Sequence, residues 1–481
     1  MGPTPSVVVS LYPAPTGDNG AMPNSSSPSP DAFDLVVIGT GSGNSIISDE
    51  MASWRIALIE EGVFGGTCLN RGCIPTKMFV HAADTAEMVR QSHHLGIDAT
   101  VEAVHWEMIR DRVFNRIDPI AAGGDEYRTH RCPNVTVLRG HGQFVAPKTI
   151  DVGGQLITGE RIVVATGARP HMPTIEGLDS VEWHTSDSVM RVPTLPRHLV
   201  VIGGGFIASE LTHVFASFGS HVTMVVRGPA LLREHDSDVS GHFTEMVSAR
   251  NNVTVRLNSK PASVRPTEGG FQLTLADGTV IAGDILLIAT GRVPNSDTVA
   301  AAAGGLDLHP DGRIVVNAQQ RTSVDGVWAL GDVSSPHQLK HVANHEMRVV
   351  RHNLLHPESP RTTDHRFVPS AVFTRPQIAT VGLTERAARA AGYDVSVKVQ
   401  QYGDVAYGWA MEDTTSFCKL IADRNTRLLL GAHLMGPQAS TLIQSLIQGM
   451  SVGQTVDDMA HSQYWIHPAL PEVIENALLG L

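Results

Sequence analysis

Cys68 and Cys73, in Gly65-Gly66-Thr67-Cys68-Leu69-Asn70-Arg71-Gly72-Cys73-Ile74-Pro75-Thr76-Lys77, are the residues of this sequence best placed to do chemistry. Two thiols at that spacing can close a disulfide across a distorted helical turn and cycle between dithiol and disulfide. A helix N-terminus and the nearby Lys77 favour the thiolate. A zinc half-site and two inert buried thiols are the competing readings. Zinc needs four ligands, usually two cysteine pairs, and the other cysteines, Cys132 and Cys418, stand alone. His341 and His345 are spaced like two ligands but have no third, so no metal is expected. Four cysteines in 481 residues are too few for a disulfide framework. No leader with a basic start and apolar core is read, and the expected compartment is the reducing cytoplasm.

A redox pair needs a scaffold and an electron source. Just ahead of it, Asp34-Leu35-Val36-Val37-Ile38 runs into Gly39-Thr40-Gly41-Ser42-Gly43-Asn44, then a segment of helical character, then Arg55-Ile56-Ala57-Leu58-Ile59 ending in Glu60. Strand, glycine turn, helix and strand make a dinucleotide-binding unit, with Glu60, roughly 20 residues beyond the first glycine, placed for a ribose hydroxyl. Asn44 stands where a third glycine is usual. The same grammar returns in Leu199-Val200-Val201-Ile202, Gly203-Gly204-Gly205-Phe206-Ile207-Ala208 and a strand over residues 221–226. Other apolar strands end in Ala165-Thr166-Gly167, Ala289-Thr290-Gly291 and Ala329-Leu330-Gly331-Asp332. The two Ala-Thr-Gly ends read as crossings between domains through a close backbone approach.

The expected fold class is therefore α/β, with two Rossmann-like dinucleotide-binding domains and a C-terminal α+β domain. The sequence divides into a flexible Pro- and Ser-rich tail over 1–32, a first domain over 33–177 and a second over 178–298. It returns to the first over 299–362 and ends in the C-terminal domain over 363–481. A formal charge of −12 with 42% hydrophobic residues describes a globular chain without the basic stripe of a nucleic-acid binder. No apolar run approaches the ~20 residues of a membrane span.

The cysteine segment, the two glycine motifs and the Ala-Leu-Gly-Asp turn, in that order, resemble the pyridine-nucleotide disulfide oxidoreductases, the family of glutathione reductase, lipoamide dehydrogenase and mercuric reductase. The resemblance runs from about Asp34 to the end. It implies FAD on the first domain, a nicotinamide nucleotide on the second, and a C-terminal dimerisation domain that makes a homodimer with shared active sites. It places FAD against Gly39, Gly41, Ser42, Gly43, Glu60, Gly66, Thr67 and Gly142, and against Ala165, Thr166, Gly167, Gly331, Asp332, Lys340 and Ala343. It puts Cys73 nearer the flavin and pairs Glu210 with Lys77 beside it. Asp332 would face the ribityl chain, and the helix starting near Lys340 would aim its positive end at the pyrimidine ring. In Tyr464-Trp465-Ile466-His467-Pro468-Ala469-Leu470-Pro471-Glu472, His467 and Glu472 match the family's pair. There an imidazole moves the thiol's proton while a carboxylate holds its tautomer.

Arg227 stands where an NAD-binding unit carries an acid, and Arg233 follows it. Guanidiniums can hold a 2′-phosphate that a carboxylate would repel, so NADPH is expected. Its contacts are implied at Gly203, Gly204, Gly205, Ile207, Ala208, Arg227, Arg233, Gly291 and Arg292. The last residues lack the terminal cysteines of mercuric and large thioredoxin reductases, which points to a low-molecular-weight disulfide. Residues 39–46, 73–80, 341–346 and 402–413 are similar to the branch whose substrate is mycothione, the disulfide of mycothiol. Lipoamide and glutathione disulfide are the alternatives. Arg71, between the cysteines, is unusual for the family.

Overall fold

A computed structural model describes residues 30–481. Six strands, β1 (Asp31–Ile38), β2 (Ile56–Glu60), β3 (Val135–Arg139), β4 (Gly142–Ala146), β5 (Thr149–Val152) and β6 (Gln155–Val164), join Val327–Ala329 in one sheet. Its parallel part runs β3-β2-β1-β6 and then Val327–Ala329, while β5 and β4 pair antiparallel off the start of β6. Leu35, Val36, Val37, Leu58 and Val163 are fully buried, as expected of parallel strands covered on both faces.

Two expectations are corrected here. The strand begins inside the segment read as tail: Asp31 and Ala32 pair with Ile157 and Thr158, and Arg55 donates to the Ala32 carbonyl at 2.8 Å. The ten-residue β6 is long enough to template both. Residues 1–29 of that tail lie outside the described residues. The helix expected after the first glycine turn is instead two 3-10 turns, Gly43–Ile46 and Asp49–Met51. Arg128 explains the change, because its guanidinium takes the Asn44 side chain (2.8 Å) and the carbonyls of Asn44 (3.0 Å) and Ile47 (3.2 Å). Those carbonyls would otherwise serve an α-helix internally.

After β2 come α1 (Gly66–Asn70), α2 (Cys73–Gln91) and α3 (Trp106–His130). The second domain is a parallel sheet of Val253–Arg256, His221–Val225, His198–Ile202, Ile285–Ile288 and Trp183–His184, with α4 (Phe206–Ser217) and α5 (Ser237–Ser248). The chain crosses between the domains where the two Ala-Thr-Gly ends suggested, and Ala168–Pro170 pairs antiparallel with Arg292–Pro294. A Cβ on Gly39 (φ +100°) would lie 2.5 Å from the Ala165 carbonyl oxygen, and one on Gly203 (φ +139°) 2.2 Å from that of Ala289. Only glycine fits either approach. Beyond α6 (Lys340–Leu355), the C-terminal domain is an antiparallel sheet ordered Ser370–Val372, Ile378–Gly382, Leu429–Met435, Phe417–Asp423 and Val395–Gln401. Helices Ala439–Val452 and Pro471–Leu479 pack their apolar faces on it. Among the described residues, no helix is long and apolar enough to cross a membrane.

Candidate active site

The redox segment is split by Gly72, which caps α2, so Cys68 sits in the short α1 and Cys73 is the first residue of a 19-residue helix. Asn70, buried between them, donates to the carbonyls of Phe64 (2.8 Å) and Gly66 (3.1 Å) and ties α1 down. As thiols the two are chemically unequal. The Cys73 thiol is drawn down from about 9 to about 7 by its hydrogen bond with Cys68 and by the Lys77 ammonium, against the opposing effect of burial. The same hydrogen bond, then burial, pushes Cys68 far up, so it keeps its proton. Arg71 pairs with Asp187 at 3.3 Å rather than with either thiol. A 460 Å³ cavity lies beside Cys73, lined by Ile74, Lys77, Met78, His81 and Arg112.

Lys77 Nζ stands 2.6 Å from Glu210 Oε2, joining α2 and α4, each one turn in from its start, across the domain boundary. Glu210 is buried, and its other oxygen accepts the Phe373 backbone N–H at 2.8 Å, while the Phe373 ring lies under the ammonium at 4.4 Å. Phe373 belongs to the C-terminal domain and carries no sequence signal for this contact.

The residues present fit FAD. Glu60, at the end of β2, is held by the Thr40 backbone (2.9 Å) and hydroxyl (2.6 Å). Gly41 and Gly66 approach so closely that a Cβ on Gly66 would lie 2.8 Å from Gly41 Cα. A Cβ on Gly43 would lie 2.7 Å from Ala165 Cβ, and one on Gly142 3.1 Å from Ile59 at the end of β2. Thr166 Oγ1 is buried with no hydrogen-bond partner, between Ala165 and Gly167. Lys340 opens α6 and donates to Ser42 Oγ at 2.8 Å, and Asn344, one turn on, lies 3.2 Å from the same hydroxyl. Gly331 packs against Ala343, so the Asp332 turn meets the start of α6. Burial raises the Asp332 carboxyl against the pull of Arg292, 3.9 Å away. Arg292, expected on the nicotinamide side after Gly291, thus turns its side chain to Asp332 and to the Ala168 carbonyl. Thr40 and Asn344 are contributors that sequence reasoning missed. Thr40, inside the glycine motif, was the more findable.

On the second domain, Gly203, Gly204 and Gly205 lead from the strand His198–Ile202 into α4, where Ile207 and Ala208 begin the helix. A Cβ on Gly205 would meet nothing within 4 Å, which leaves open space for a pyrophosphate at a helix N-terminus. Arg227 and Arg233 are both exposed, and the Arg233 stem lies 3.6 Å from where a Cβ on Gly228, next to Arg227, would stand, while its Nε pairs with Glu234 at 3.0 Å.

His467 Nδ1 donates to Glu472 Oε1 at 2.7 Å, and Glu472 Oε2 accepts the Ala469 N–H. The imidazole beside it holds the Glu472 carboxyl below its ordinary value. The side chain of His467 is 71% exposed, and among the described residues no hydrogen bond joins it to Cys68 or Cys73. Tyr464 and Ile466, just before it in the chain, are exposed and with Tyr407 line a 500 Å³ cleft. No group of three or more metal-ligating side chains occurs among the described residues.

Residues 33–349 match the pyridine nucleotide-disulphide oxidoreductase family, and residues 368–478 its dimerisation domain. The chain is 53% identical over 463 residues to mycothione reductase of Mycobacterium tuberculosis, covering 94% of this chain and all of that one. It is 31% identical to a mercuric reductase of Staphylococcus aureus, over 89% of this chain and 79% of that one. Among solved structures, the HOCl-induced flavoprotein disulfide reductase RclA from Escherichia coli superposes with a TM-score of 0.82 at 29% identity, over 93% of this chain and 99% of that one. The chain belongs to the pyridine nucleotide-disulphide oxidoreductases, flavoenzymes that use FAD and a nicotinamide nucleotide, and it carries their dimerisation domain.

Proposed function

We propose that this chain works as a cytoplasmic FAD-containing homodimer that uses NADPH to reduce mycothione to two molecules of mycothiol. The unequal thiol pair supports the reaction class most directly, and the full-length likeness to a mycothione reductase supports the substrate. Bound FAD supplies the two-electron relay between the nicotinamide and the Cys68–Cys73 couple. Arg227 and Arg233 hold the 2′-phosphate, and Lys77 with Glu210 keeps a buried charge pair beside the reducing side of the thiols.

Cys68, the thiol that keeps its proton, needs a base, and His467 of the partner subunit takes that proton as Cys68 Sγ attacks one sulfur of mycothione. The substrate S–S bond breaks, a Cys68–mycothiol mixed disulfide forms, and the departing thiolate takes the proton back from the imidazolium. Glu472 fixes the tautomer by engaging Nδ1, which leaves Nε2 for the sulfur. Cys73, its thiol drawn down to about 7, attacks Cys68 Sγ as the thiolate, closes the Cys68–Cys73 disulfide and expels the second mycothiol, which leaves as a thiol on taking a proton from solvent.

The test is an anaerobic titration of the purified yellow protein with NADPH, followed by mycothione, glutathione disulfide or lipoamide. Reduction by NADPH and reoxidation by mycothione alone is expected. Reduction by NADH with reoxidation by lipoamide would overturn both the nucleotide and the substrate.

A further inference from the structure

Lys419 lies in the middle of strand Phe417–Asp423 of the C-terminal domain, is 1% exposed, and takes no part in the steps above. Its ammonium is met by three carboxylates: Asp236 Oδ1 at 2.9 Å, Asp238 Oδ2 at 2.7 Å and Glu385 Oε2 at 2.8 Å. Glu385 opens α7 (Glu385–Ala390) in the same domain, but Asp236 and Asp238 begin α5 of the nicotinamide domain. Asp236 is the cap of α5, accepting the Asp238 N–H, and its second oxygen accepts the Glu385 N–H at 3.0 Å. Three carboxylates on one buried ammonium are poorly balanced, and such clusters contribute little net stability. What this one fixes is position.

The loop it ends is the one that carries Arg227 and Arg233. At its middle, Leu232 adopts a left-handed φ of +50° and donates its N–H to the Gly204 carbonyl at 2.8 Å, which ties the loop to the glycine turn. Leu231 is fully buried, and its carbonyl accepts from Ser240 of α5 at 2.6 Å. Arg233 therefore stands between two pins, the glycine turn on one side and the Asp236–Lys419 contact on the other.

We infer that Lys419 is a specificity-determining positioning residue: from the C-terminal domain it holds the Asp236 end of this loop so that Arg233 meets the 2′-phosphate of NADPH. The inference rests on the NADPH reading above. The test measures KM and kcat for NADPH and for NADH, with one disulfide substrate, in the native holoenzyme, Arg233→Ala and Lys419→Met. Lys419→Met is expected to raise KM for NADPH about tenfold, equivalent to about 1.4 kcal/mol, while KM for NADH and both kcat values stay within about twofold. Equal rises for both nucleotides, or none, would overturn it. A native enzyme without NADPH preference, or Arg233→Ala without effect, would instead sink the NADPH reading itself. If Lys419→Met does not fold, Asp236→Asn carries the test: it keeps an oxygen to cap α5 but removes the charge that Lys419 Nζ meets at 2.9 Å. A smaller rise confined to NADPH supports the inference, and no selective rise overturns it.

Discussion

Cys73 opens α2 with Lys77 one turn behind it, and Cys68 sits across the Gly72 break with its proton retained. The lowered Cys73 thiol owes most to the hydrogen bond from Cys68 and next to the Lys77 ammonium, while burial works the other way. Two chemically identical side chains thereby suit the different tasks proposed for them: Cys73 to resolve as a thiolate, Cys68 to be deprotonated when substrate arrives. A lowered thiol gains its charge above the folded value, so alkylation of Cys73 by iodoacetamide in the reduced enzyme should climb between about pH 6 and 8. Its midpoint should fall near 7, with Cys68 slow throughout. Lys77→Met removes the nearby cation and should move that midpoint up by about one unit. An unmoved midpoint would assign the whole lowering to Cys68. The residue types at this scale were legible because the chemistry is local, a matter of two thiols, a lysine one turn on and a glycine break. The Phe373 ring and backbone that complete the Lys77–Glu210 pair were not legible, since they arrive from a chain segment about 160 positions beyond Glu210.

At the scale of elements, strands buried on both faces are unbroken apolar runs, which is why β1, β2 and the strands leading to the glycine turns could be read from the sequence. The strand Phe417–Asp423 was not picked out. It is buried at every position yet contains Lys419, so it shows neither alternation nor an uninterrupted apolar run. The lost helix after Gly43 had a visible cause only in part: Asn44 could be seen to break the glycine pattern, but Arg128, its anchor, lies in α3, 84 residues away. That arginine braces the turn that carries Gly41, Ser42 and Gly43, the backbone proposed to face the FAD pyrophosphate. Arg128→Ala removes three charge-assisted hydrogen bonds from a loop with no helix to fall back on. It should cost about 2 kcal/mol in thermal or denaturant unfolding. It should also speed FAD loss on dilution, followed by the gain in free-flavin fluorescence. A variant with native stability and native FAD retention would show that the 3-10 turns hold themselves.

Across the whole molecule, the groups proposed to react stand apart, with no hydrogen bond among the described residues joining His467 to Cys68 or Cys73. His467 is oriented by Glu472 but exposed, flanked by Tyr464 and Ile466 and hydrogen-bonded to neither thiol. An imidazole proposed for catalysis and left beside exposed aromatic and aliphatic side chains is what a surface shared with a second copy would look like before assembly. The sequence carried the His467 and Glu472 pair, but not which subunit's thiols it would serve, because in the proposed dimer that depends on a symmetry operation rather than on any spacing. Hybrid dimers can read it. In a dimer of one Cys68→Ser subunit and one His467→Ala subunit, shared sites put both lesions into one site and leave the other with native Cys68 and native His467. If each subunit used its own histidine, both sites would carry a lesion. After unfolding and co-refolding the two weakly active parents in equal amounts, about half of the dimers are hybrids with one sound site of two. Disulfide reductase activity should then recover to roughly a quarter of native. Both parents should keep FAD and be reduced by NADPH, since neither lesion touches that half of the reaction. Activity no higher than the average of the parents, with hybrids confirmed by native mass spectrometry, would place each His467 in its own subunit's site.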